Sequence, residues 1–80
     1  MRRLEERRGR FFIRKKTRFE AEFYCGSGVE KVGTPDEQEF IQWTRYIERA
    51  QGFDSMKSAQ NVALMIQDKY GVQTYIIQRR

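Results

Sequence analysis

The chain has 80 residues, 39% of them hydrophobic and 14% aromatic, with a formal charge of +5, one cysteine and no histidine. That length gives one small core, and the aromatic content sets the chain apart from a disordered one. The composition excludes an internal disulfide, a Cys/His metal site and imidazole acid–base chemistry, and no apolar run approaches the ~18 residues of a membrane span.

Charge is concentrated at one end. Residues 1–18 carry nine Arg or Lys against Glu5 and Glu6, a net +7 that leaves −2 for residues 19–80. Met1–Gly9 has no apolar periodicity beyond Leu4, so residues 1–9 read as a basic N-terminal arm and residues 10–80 as a single domain. A basic segment on a near-neutral body suits an anionic partner, and equally a solvated tail.

From Arg10 to Lys16 the sequence is β-rich, with Phe11 and Ile13 facing inward and Arg14 and Lys16 facing water. After a turn near Thr17, Phe19–Cys25 alternates. Phe19, Ala21, Phe23 and Cys25 are expected on the core face, with Glu20, Glu22 and Tyr24 outward. Gly26-Ser27-Gly28 is expected to end that strand. Between Thr34 and Gly52 two readings compete. Thr34, Pro35 and Glu37 spell a helix start, with Phe40, Trp43, Ile47 and Ala50 on one face, whereas Glu39–Thr44 also reads as a strand followed by a short turn. Asp54 or Ser55 then caps a helix whose stripe is Met56, Ala59, Val62, Ala63, Ile66 and Tyr70, with Gly71 as its stop. Val72–Ile77 alternates as a last strand.

The run Trp43-Thr44, Ile47, Ala50, Phe53-Asp54-Ser55, Ala59 and Val62-Ala63 resembles a pattern of short α+β proteins encoded by phages and mobile elements. Every matching position is a packing position. The resemblance therefore implies a fold and a mobile-element origin but no active site. It favours the strand reading of Glu39–Thr44, although the helix-start signal at Pro35–Gln38 departs from the pattern. The expected fold is α+β: a small antiparallel sheet of three to four strands with one main helix across one face, in the order β-β-β-α-β, the alternative being β-β-α-α-β.

Chemistry narrows to binding. Cys25, on the inward face of a strand, reads as a small hydrophobe rather than a nucleophile. Asp36, Glu37 and Glu39 lack calcium-loop spacing, and Gly26-Ser27-Gly28 is followed by no phosphate-loop signature. No cofactor or metal is expected. Two binding surfaces stand out. Arg10, Arg14, Lys15, Lys16 and Arg18 gather on and beside the first strand, where they suit phosphates, with an outward Tyr24 as a stacking platform. Leu64 and Met65 lie off the helix's apolar stripe, which suits a protein-contact patch or, equally, burial of Leu64 at the stripe's edge. The expectation is a non-enzymatic, cytoplasmic protein of phage or mobile-element type, docking on a host protein or nucleoprotein complex as an anti-defence inhibitor of the anti-CRISPR kind. The alternative is a small nucleic-acid-binding protein using the basic segment; no membrane partner is expected, and oligomeric state is left open.

Overall fold

Side chains that alternate across a pleat can satisfy two faces, and the first strand does so at its centre. The computed structural model describes residues 10–79, so the arm expected over residues 1–9 lies outside the described residues. Its elements are β1 (Phe11–Lys15), β2 (Phe23–Glu30), β3 (Gln38–Thr44), a 3-10 turn (Ile47–Arg49), α1 (Met56–Tyr70) and β4 (Thr74–Gln78). The four strands form one antiparallel sheet in the spatial order β3-β2-β1-β4. The chain is thus α+β in the order β-β-β-α-β, and the strand reading of Glu39–Thr44 holds. The rival helix start at Thr34 is a turn instead: its hydroxyl donates to the Lys31 carbonyl at 2.7 Å and its carbonyl accepts from the Glu37 N–H at 3.1 Å.

The sheet is two ribbons joined over a short length. β1 runs beside β4 from Phe11 to Lys15, and β2 runs beside β3, but β1 meets β2 only around Arg14 and Phe23. At the start of β1, the segment before the helix takes the place of β2. Phe11 and Phe53 exchange backbone hydrogen bonds of 3.2 and 2.8 Å, and the Gln51 N–H donates to the Tyr24 carbonyl at 3.0 Å. This wedge carries Phe53 into the core, where its ring stacks on Tyr24 at 6.2 Å.

α1 crosses one face. Its start is a local matter: the Ser55 hydroxyl accepts from the Ser58 N–H at 3.1 Å, which satisfies a backbone donor of the first turn. Gly71 ends it in the left-handed region at φ 70°, a conformation glycine adopts without Cβ strain. Ala59 and Ile66 are fully buried, and with Ile13, Tyr24 and Phe53 they form the core, flanked by Phe11, Ile41, Trp43, Val62, Ala63, Val72 and Ile76.

Four expectations for the second strand fail. Tyr24, expected outward, is 7% exposed and faces the helix, packing edge-on against Trp43 at 6.4 Å. Phe23 therefore lies on the far face with Phe12, and Phe19, expected inward, is 85% exposed in the β1–β2 connection. Apolar residues sit on both faces of the sheet centre, so alternation alone cannot set the phase. Gly26-Ser27-Gly28 does not end the strand but lies within it, at a bulge between Tyr24 and Ser27.

Candidate functional site

The basic residues singled out in the sequence are divided by the pleat. Ile13 points to the helix, so by alternation Arg10, Arg14 and Lys16 belong to the far face of β1, while Lys15 shares the helix face. Lys15 Nζ lies 5.3 Å from the centre of the Trp43 ring, so its charge is engaged with the sheet. The Arg14 guanidinium lies 5.4 Å from the centre of the Tyr75 ring on β4, and its buried Nε has no acceptor among the described residues. Lys16 and Arg18 are exposed, as is Arg79, which continues the far-face row of β4 beyond Tyr75 and Ile77. Tyr24 is buried and is no stacking platform. Burial raises the pKa of its phenol, with the nearby Cys25 and Glu39 adding to the effect.

Leu64 and Met65 also part company. Met65 stands one turn before Lys69, on the side of α1 that reaches β3: Lys69 Nζ donates to Glu39 Oε1 at 2.8 Å and the Tyr70 hydroxyl donates to the same oxygen at 2.9 Å. The Lys69 and Tyr70 hydrogen bonds hold the Glu39 carboxyl below its ordinary pKa, and the Glu39 bond raises that of Lys69. The Tyr70 phenol is raised by desolvation first and by the Glu39 bond second. This cluster ties the end of the helix to the β3 edge.

Leu64 faces the other way, toward β4. Gln60, Ala63, Leu64 and Gln67 recur at helical spacing and overhang Thr74 and Ile76, leaving an open cleft of about 330 Å³ between helix and strand. Leu64 is 58% exposed and Tyr75, on the other side of the strand, is 43% exposed. Among the described residues β4 is an edge strand, paired on one side only. Leu64 is legible in the sequence because it breaks the apolar stripe; the cleft is not, since it exists only because β4 pairs with β1 and lies under that turn of the helix.

The remaining candidates for chemistry stay apart. Cys25 is half-buried on β2, and Glu20 is committed to Arg45 in an exposed ion pair at 2.8 Å. Among the described residues no three His, Cys, Asp or Glu come together as a metal site, and no helix is long and apolar enough to cross a membrane. Comparison with protein-family models, curated proteins and solved structures finds no match.

Proposed function

We propose that this is a non-enzymatic binding protein that docks a macromolecular partner on the edge formed by α1 and β4. The observation that carries the reading is the open cleft under Leu64 beside a strand that, among the described residues, is paired on one side only, with Tyr75 and a basic row on the strand's other side. Edge strands with no charge of their own are pairing surfaces, and Thr74–Gln78 is TYIIQ. The surface brings together Leu64 and Arg14, which the sequence suggested as rival determinants, and leaves Lys15, Tyr24 and Met65 outside. The finer reading is a phage or mobile-element inhibitor of a host defence complex, of the anti-CRISPR kind. It is supported by the absence of histidine from this sequence and by the resemblance over Trp43–Ala63.

The test is co-isolation of partners from host lysate with tagged protein, with and without nuclease, comparing Leu64→Glu with Met65→Glu. Loss of the partner with the first variant and retention with the second is the expected result. Nuclease-sensitive capture that survives Leu64→Glu and weakens steeply with salt would instead favour the nucleic-acid reading, carried by exposed Arg10, Lys16 and Arg18.

A further inference from the structure

The hydrogen bonds of β4 dictate which of its backbone groups are free. The Arg79 N–H donates to the Arg10 carbonyl at 2.8 Å, and the Lys16 N–H donates to the Gln73 carbonyl at 2.9 Å. In an antiparallel ladder the odd-numbered residues between them, Tyr75 and Ile77, therefore also turn their amides and carbonyls toward β1. Thr74, Ile76 and Gln78 turn theirs outward, in a row of donors and acceptors along the open edge. Their side chains lie on the helix face, those of Thr74 and Ile76 lining the cleft beneath Leu64. A strand laid along this edge would pair with those three residues, and its alternate side chains would enter the cleft or pass to the far face.

The two sides of such a strand meet different surroundings. On the helix side are Ala63 and Leu64 between Gln60 and Gln67, with room for apolar side chains. On the far side lie Arg14 over Tyr75, exposed Arg10 and Lys16 at the two ends of β1, and exposed Arg79. A second copy of this chain suits the edge poorly. Pairing two β4 strands about Ile76 sets Arg79 of one beside Gln73 of the other, with Lys16 one strand beyond, and neither β4 supplies a carboxylate to these far-face cations. An acidic strand meets the opposite condition, since far-side carboxylates approach Arg79 and, beside Tyr75, the Arg14 guanidinium.

Building on the docking surface described above, we propose that the protein captures an extended segment of its partner as a fifth strand beside β4. That segment alternates apolar residues, which enter the cleft under Leu64, with Asp or Glu, which face Arg14, Lys16 and Arg79. Main-chain pairing supplies affinity and the alternation supplies selectivity, as in other strand-addition modes.

The probe is a short fluorescein-labelled peptide alternating valine with glutamate, titrated by fluorescence anisotropy against the whole protein, beside a peptide alternating valine with lysine. The expected result is saturable binding of the glutamate peptide alone. Gln78→Pro deletes one outward donor while leaving the bonds to β1, and it should weaken binding about fivefold or more, whereas Gln78→Ala should not. Thr74→Pro serves in the same way should Gln78→Pro lower the melting temperature. Amide exchange should slow at Thr74, Ile76 and Gln78 when peptide is added. Absence of binding up to millimolar peptide, or equal affinity for wild type and both proline variants, overturns strand addition. If the peptide fails while Leu64→Glu still abolishes capture of the lysate partner, strand addition falls and the docking surface stands; if neither matters, both fall.

Discussion

Ile66 is the position at which the packing makes its sharpest demand. Its side chain has 0% exposure and belongs to the same cluster as Ile13, Tyr24, Phe53 and Ala59, at the point where α1 lies on the two joined ribbons. Ile66→Ala removes three carbon atoms from a closed site. Such truncations cost about 2–5 kcal/mol, and the rigid walls supplied by stacked Tyr24 and Phe53 favour the upper half, about 3–4 kcal/mol. An 80-residue domain has roughly 4–12 kcal/mol in total, so the loss is a large share. At about 4–8 °C per kcal/mol for a domain of this size, the melting temperature should fall by ~12–30 °C. Leu64→Ala, two residues earlier and largely exposed, should cost under about 1 kcal/mol. Thermal unfolding followed by circular dichroism measures both. A shift of only a few degrees for Ile66→Ala, or a larger one for Leu64→Ala, would refute the assigned phase of the helix.

Other perturbations probe single contacts. Ser55→Ala removes the acceptor of the Ser58 N–H and should cost about 0.5–2 kcal/mol by denaturant unfolding. A Cβ at Gly28 would lie 2.6 Å from the Phe40 ring, so Gly28→Ala should destabilise by about 1–3 kcal/mol, and shortening Phe40 to Leu in the same chain should recover part of it. The Glu39 carboxyl is held below its unfolded pKa, so its stabilising contribution is present at neutral pH and is lost as pH falls through the folded value. The melting-temperature gap between wild type and Glu39→Gln should therefore be constant above about pH 5 and close in stronger acid. It should also shrink with added salt, because the pair with Lys69 is exposed.

The helix was legible because its signals are local. Ser55, the stripe through Ala59 and Ile66, and Gly71 each act within a few residues of chain, and each does what its position suggests. The strand Gln38–Thr44 was harder, since Thr34, Pro35 and Glu37 offer a helix start that the hairpin with β2 overrides. The second strand was misphased because Phe23 and Tyr24 are both buried, on opposite faces, and neighbouring apolar residues carry no alternation to read. Gly28 looked like punctuation and is instead the flat patch on which the Phe40 ring rests. At the candidate site, the charges and Leu64 could be picked out singly. Their division could not, because the pleat of β1 and the placing of β4 beside it are decided by pairing between residues some sixty positions apart.

A partner docked on the edge of β4, with the turn of α1 above it, must cover the outward backbone groups of that strand. Amide hydrogen exchange of the protein, free and in complex with a partner captured from lysate, reads that coverage. The outward amides of Thr74, Ile76 and Gln78 should exchange quickly in the free protein and slow on binding, with the β2–β3 hairpin unchanged. Slowing confined to residues 17–22 or to the β2–β3 hairpin, with β4 exchanging as before, would place the partner elsewhere.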